Sequence, residues 1–260
     1  MIDNNMLILA ILVFVYGLAI GSFLNVIIYR VPLEQSIVKP RSQCPQCGHQ
    51  ITAKENIPIL SYLLLRGKCS SCGMHISLRY PSVELLTALL LTLLFYVLGP
   101  NWQFVGMAYF TILIIAITFI DMDHYIIPNG LLLLGIFALL PLYFGQGVTM
   151  LIPALIGAFS LGLGFYIIGF LGEKVFKKES LGMGDVKYAF VIGLILGWKA
   201  GIVAVAMTFL GASVFILALL PFGKLEIGQK IPFGPFMGFG TFISILCYQD
   251  IIDWYIRVAF

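Results

Sequence analysis

Two carboxylates and four thiols stand out as the side chains able to do chemistry. Asp121 lies in Phe119-Ile120-Asp121-Met122-Asp123-His124, where a long apolar stretch ends. Asp185 lies in Gly182-Met183-Gly184-Asp185-Val186-Lys187, where another begins. Ionisable groups at membrane depth are costly and by default mark function. Two facing carboxylates can share one proton, because both cannot cheaply ionise at close range. One then acts as base on a water, and the other, protonated, polarises a peptide carbonyl. Asp185 follows Asp121 by 64 positions, enough for two helices and their loops, so the chain permits them to meet. The glycines before Asp185 would admit an extended substrate. The plainer alternative is that each carboxylate caps a helix or balances nearby lysines. Asp123 reads as a solvated or capping residue, and His124 as an interfacial titrating one.

The thiols form Cys44-Pro45-Gln46-Cys47 and Cys69-Ser70-Ser71-Cys72. Two CxxC knuckles suit a tetrahedral metal, zinc above all. The 21 residues between them run just beyond the usual ribbon spacing of about 15–20. Gly48 and Gly73 follow the knuckles and let the backbone turn its amides toward sulfur. A disulfide pair is disfavoured in a reducing compartment, and a redox CxxC needs no second copy. His49 and His75 read as bystanders, and Cys247 as a small packed hydrophobe.

These groups need elements to position them, and the composition says which kind. Of 260 residues, 60% are hydrophobic and 10% charged, with mean hydropathy +1.03. A soluble domain carries roughly 25% charged residues. The apolar excess must therefore face lipid. A net charge of +3 gives no footing for nucleic acid. A spanning helix needs about 20 apolar residues, and eight segments qualify: 6–28, 82–98, 102–120, 126–144, 150–171, 188–197, 201–220 and 235–256. The sixth is short and either begins earlier, near Gly184, or is partly re-entrant. The start carries no Lys or Arg, unlike a cleaved signal peptide, so the first segment reads as a retained helix.

With eight crossings, thirteen of the fifteen Lys and Arg residues fall on one side, the cytoplasmic side by the positive-inside rule. The fold class expected is thus an all-α polytopic membrane protein of about eight helices with a small zinc-ribbon-like cytoplasmic loop domain. The expected division is a first helix (1–29), a cytoplasmic zinc-binding loop domain (30–81) and a transmembrane core (82–260). The loop is too small and polar to bury a good core unaided, and a metal would supply the missing stability.

Several stretches in order resemble the type IV prepilin peptidases, a family of GxGD intramembrane aspartic proteases. They are Gly21-Ser22-Phe23-Leu24-Asn25-Val26 with Arg30-Val31-Pro32, the four cysteines, Asn56-Ile57-Pro58-Ile59-Leu60-Ser61-Tyr62, Arg66-Gly67-Lys68-Cys69 and Arg79-Tyr80-Pro81-Ser82-Val83-Glu84. The Asp121 segment, Gly182–Lys187 and Pro232-Phe233-Gly234-Pro235-Phe236 continue the set. The resemblance implies that Asp121 and Asp185 are the catalytic pair. It implies cleavage of the basic leader of prepilins or pseudopilins after a Gly, at the cytoplasmic face of a bacterial inner membrane. In long-form members it further implies N-methylation of the new N-terminus with S-adenosylmethionine, a second activity in which the zinc loop is implicated; Cys44, Cys47, Cys69 and Cys72 would hold that zinc.

No strand–helix glycine signature of a Rossmann-like methyltransferase is present. Asn25, Arg79 and Glu84 are candidates for donor or substrate binding, although an Arg79–Glu84 salt link at a helix entry is the plainer reading. Gly17 and Gly21 read as helix-packing residues. A proton-coupled transporter competes as a reading, since membrane aspartates also relay protons. Both aspartates at one face, with no inverted repeat, count against it. A non-catalytic assembly subunit is the other competitor, and no motif here looks degenerate.

Overall fold

The computed structural model describes residues 4–177, 181–222 and 230–259. Lys178 and Lys224 of the charge pattern lie outside them. The described residues are helical, with two isolated β-bridges and no strand. The chain divides into two compact units, Met1–Pro100 and Asn101–Phe260.

In the first unit, α1 (Asn4–Arg30) packs on α3 (Arg79–Leu98). The two run antiparallel. A Cβ placed on Gly17 would lie 2.6 Å from the Ala88 Cα, one on Gly21 2.6 Å from the Glu84 Cα, and Asn25 reaches the Tyr80 carbonyl. Glycine one turn apart therefore lets the two backbones touch, as the small-residue spacing predicts. α3 begins at Arg79, ahead of the expected 82, because proline is tolerated in a first helical turn and Pro81 sits there. Arg30 closes α1: its guanidinium is buried and donates to the carbonyls of Ser36 (2.8 Å) and Pro40 (2.7 Å).

Between these helices lie a short 3-10 turn (Lys54–Asn56) and α2 (Leu60–Leu64). The two knuckles fold alike. Cys44 N–H donates to His49 O and Gly48 N–H to Cys44 O; Cys69 N–H donates to Met74 O and Gly73 N–H to Cys69 O. Gly48 and Gly73 sit at φ of 70° and 73°, where glycine is favoured. The sequence shows no repeat, yet the knuckle hydrogen bonding recurs 25 residues on.

The second unit holds α4 (Trp102–His124), α5 (Asn129–Ile136), α6 (Leu139–Gln146), α7 (Leu151–Phe176), α8 (Met183–Leu219) and α9 (Gly234–Ala259). α8 is the central element, packed on α7, α9 and α5, while α4 packs on α9, α6 and α5. α7 and α8 meet backbone to backbone, since a Cβ on Gly157 would collide with the Gly193 carbonyl, and the reverse.

Among the described residues, six helical runs are long and apolar enough to cross a membrane, not the eight separate segments expected. Residues 126–144 and 150–171 fall in one run, Asn129–Val175, because the short α5 and α6 abut α7 through a 3-10 turn. Residues 188–197 and 201–220 fall in another, Met183–Phe222. There the helix is continuous apart from Gly197, at φ 74° and ψ 175°. Large apolar side chains such as Ile8, Ile11, Val15, Ile152, Phe159 and Val214 remain exposed along these runs, as lipid-facing surfaces require.

Candidate active site and metal centre

Asp121 sits in the last turn of α4, which Tyr125 closes in the left-handed region by donating its N–H to Asp121 O. Its side chain is 5% exposed. The carboxylate oxygen Oδ2 accepts the backbone N–H of Gly234, the first residue of α9, at 2.7 Å. Asp185 sits in the first turn of α8, half-buried, where Oδ2 accepts the Gly182 N–H at 3.1 Å. The capping alternative thus describes part of what Asp185 does. Ile127, just past the end of α4, lies against Gly184 at the start of α8, so the two carboxylates occupy adjoining helix ends. Asp123 and His124 are exposed.

Three contacts hold the helix ends that carry these aspartates. Gly184 lets α8 begin against the Ile127 side chain, where an added Cβ would come within 3.2 Å. Lys187 donates to Asn129 Oδ1 at 3.1 Å, tying α8 to the start of α5. Phe233 stacks among Phe165, Phe209 and Phe236, which anchors the segment leading into Gly234. One turn beyond Asp185, Tyr188 is fully buried, and its hydroxyl has no hydrogen-bond partner among the described residues.

Gly234 and Tyr188 are the site residues that side-chain chemistry did not single out. The signal for Gly234 was present in Pro232-Phe233-Gly234-Pro235: the two prolines have no N–H, so the donors of this turn are few. A Cβ at 234 would lie 2.8 Å from Asp121 Oδ2. Gly234→Ala should therefore displace the carboxylate and lower peptide cleavage by about 10–100-fold, since a displacement of about 1 Å can cost about 100-fold. Single-turnover cleavage with unchanged melting temperature would check it.

In the first unit the four thiols of Cys44, Cys47, Cys69 and Cys72 lie within 4.8 Å of one another. Cys44 Sγ is 3.8 Å from Cys72 Sγ, and Cys47 Sγ is 4.0 Å from Cys69 Sγ. Tetrahedral zinc with bonds of about 2.3 Å sets its sulfurs roughly 3.8 Å apart, so the donor set fits such an ion. Amides of Cys47 and Gln46 lower the Cys44 thiol to about 7. Amides of Cys72 and Ser71 lower Cys69. The Met74 amide pulls Cys72 down, but desolvation and the neighbouring thiols outweigh it and raise it to about 11. Four such sulfurs cannot all ionise together without a cation among them.

Glu55 braces the two knuckles. It accepts from the Ser70 hydroxyl, from the Thr52 N–H and hydroxyl at 2.8 Å each, and lies 3.3 Å from His49 Nε2. Those donors, Ser70 first, hold its carboxyl down at about 2 against an ordinary 4.5. A depressed folded value means the brace is fully present above about pH 4.5 and is lost as pH falls toward 2. Glu55→Gln should weaken metal retention about tenfold at neutral pH, measured by competition with a chromogenic chelator. His49 and His75 are not among the ligand group.

Of the remaining candidates, Asn25 and Glu84 are buried and Arg79 is half-buried. Asn25 Nδ2 donates to the carbonyls of Gly21 (3.3 Å) and Tyr80 (3.1 Å). Glu84 Oε2 accepts the Ile59 N–H at 2.7 Å. Ile59 is a β-branched residue at φ 59° and ψ −49°, a conformation that costs about 1–3 kcal/mol.

Residues 15–98 match the bacterial peptidase A24 N-terminal domain, and residues 107–220 match the type IV leader peptidase family. A curated relative from Aeromonas salmonicida, named prepilin leader peptidase/N-methyltransferase, is 34% identical over 94% of this chain and 93% of its own length. The chain belongs to the type IV leader peptidase family. Relatives of the same name within it include one from Pseudomonas aeruginosa, 35% identical over 94% of this chain and 92% of its own. Another, from Myxococcus xanthus, is 44% identical over 83% of this chain and 64% of its own. No solved structure matches this family member.

Proposed function

We propose that the protein is a prepilin leader peptidase and N-methyltransferase in which Asp121 and Asp185 form the proteolytic pair. What supports the residue assignment is that the segment just past α4 packs on the first turn of α8, through Ile127 against Gly184 and Asn129 bonded to Lys187, so that Asp121 and Asp185 stand at adjoining helix ends. One carboxylate takes a proton from water as that water attacks the scissile carbonyl. The other, protonated, donates to the carbonyl oxygen, and the roles reverse as the leaving amine is protonated. The Gly234 amide orients Asp121 through Oδ2. The substrate is a prepilin or pseudopilin, whose basic leader precedes a Gly and whose apolar helix docks in the bilayer beside exposed helix faces.

The four cysteines hold structural zinc in a ribbon-like loop, and S-adenosylmethionine supplies the methyl group for the new N-terminus. We read eight crossings. Runs of 47 and 40 residues are roughly 70 and 60 Å long at about 1.5 Å per residue, against a hydrocarbon core of about 30 Å. Each divides in two, at residues 147–150 and at Gly197. This parity sets the loop and the aspartates on the cytoplasmic side of the inner membrane, with a first helix (1–29), loop domain (30–81) and peptidase core (82–260).

The test is a prepilin-like peptide incubated with detergent-purified protein and S-adenosylmethionine, read by mass spectrometry. A product cut after the Gly and heavier by one methyl group is expected. An intact peptide under conditions where the protein is folded would overturn the reading.

A further inference from the structure

The first unit holds a polar constellation that proteolysis does not use. Leu60 N–H donates to Pro58 O at 2.6 Å, closing a three-residue turn centred on Ile59 at positive φ, a rare and strained form. The Ile59 N–H is thereby turned onto Glu84 Oε2, 2.7 Å away. α1 comes against α3 at this point, since a Cβ on Gly21, next to Ser22, would lie 2.6 Å from the Glu84 Cα. Asn25, one turn along α1, fixes the start of α3 through the Tyr80 carbonyl. A carboxylate has about four acceptor positions, so the Ile59 N–H leaves room for more. Glu84 is 8% exposed, and beside the turn stand the exposed apolar side chains of Ile57, Leu60 and Leu63.

Strain of this sort points to function when it is observed first and explained second. Methyl transfer sets the demand. A trimmed pilin presents an α-ammonium, which has no lone pair, and its proton must go to an acceptor before nitrogen can attack carbon. The methyl donor also carries an ammonium, but only the substrate's must surrender a proton in the transfer.

We propose that Glu84 is the residue that receives the α-ammonium of the cleaved substrate and accepts its proton during N-methylation. Nitrogen forms its bond to the methyl carbon as the carbon–sulfur bond breaks. The sulfur keeps that electron pair and leaves as a neutral thioether, and the ammonium proton ends on Glu84. The strained turn holds the carboxylate in place, and the apolar side chains beside it suit the residues that follow the new N-terminus. This assignment rests on the bifunctional reading above.

The test uses full-length protein in detergent with Glu84→Gln, which keeps an oxygen for the Ile59 N–H but cannot take the proton. Three quantities are measured: cleavage of a prepilin-like peptide, methylation of a pre-trimmed peptide with a free amine, and S-adenosylmethionine binding by calorimetry. Methylation should fall at least 100-fold, with cleavage and donor affinity within about twofold of wild type. Retained methylation overturns the assignment. Lost donor binding also overturns it, placing Glu84 at the methyl donor, and parallel loss of cleavage and melting temperature overturns it in favour of a purely structural role. Glu84→Asp, which keeps a carboxylate, should methylate measurably faster than the Gln variant; equal or slower transfer counts against the proposal even if the Gln variant folds poorly. Absence of methylation by wild type would instead sink the bifunctional reading itself.

Discussion

Asp121→Asn and Asp185→Asn each stop prepilin cleavage, by at least about 10⁴-fold, while methyl transfer to an already trimmed peptide continues. The figure follows from losing general acid–base catalysis, worth about 10²–10⁴-fold for a single group, in a pair whose members have no function apart. The substitution is close to isosteric. An asparagine in place of Asp121 can still accept the Gly234 N–H, and one in place of Asp185 can still accept the Gly182 N–H, so both observed backbone contacts survive. What is lost is the ability to exchange a proton. For the same reason the double variant should be no worse than either single one, since groups that act as a unit are grossly non-additive. Single-turnover assays on both substrates measure this. Cleavage within tenfold of wild type in either folded variant would show that the pair is not the machinery, and the transporter and assembly-subunit readings would return.

The second large effect is expected in the loop. Cys44→Ser or Cys69→Ser should release the metal, open the segment to protease and cut methylation at least 100-fold, with cleavage kept within a few-fold. Between Val31 and Leu78 the one buried apolar residue is Cys44 itself. The segment has no other core, so the free energy of metal binding is its folding free energy. The aspartate pair lies in another unit built from α4 to α9, whose packing does not draw on the thiols. A chelator should likewise spare cleavage. Metal content by mass spectrometry, limited proteolysis and the two activity assays would settle the matter, and full methylation by a demonstrably metal-free variant would refute it.

Much of this was readable in the chain. Asp121 and Asp185 could be placed at helix ends because each stands where an apolar run meets polar residues, and hydropathy reports that boundary directly. The cysteine cluster was legible from spacing, since two CxxC pairs admit few other uses. Other features were hidden for physical reasons. The bond from Gly234 to Asp121 joins positions 113 residues apart, and a backbone amide leaves no trace in side-chain type. Ile59 adopts a conformation that its own side chain disfavours, so local propensity argues against what tertiary contacts impose. The helix from Met183 to Leu219 defeats segment counting because Gly197 bends it without ending it; glycine in an apolar run does not announce its φ. The place of Glu84 in the α1–α3 interface needed the Gly21 contact, which small-residue spacing hinted at without naming the partner.

The Gly234 amide has a consequence for how the site can drift. A hydrogen bond donated by main chain is carried by nearly every residue type, so point changes in the gene can delete it only by encoding proline. Larger residues at 234 are screened out by the Asp121 carboxylate, which fills the space where their Cβ would stand. A compound that captured this amide in place of Asp121 would therefore meet a target with few escape mutations, because most changes that disturb the compound would disturb the aspartate first.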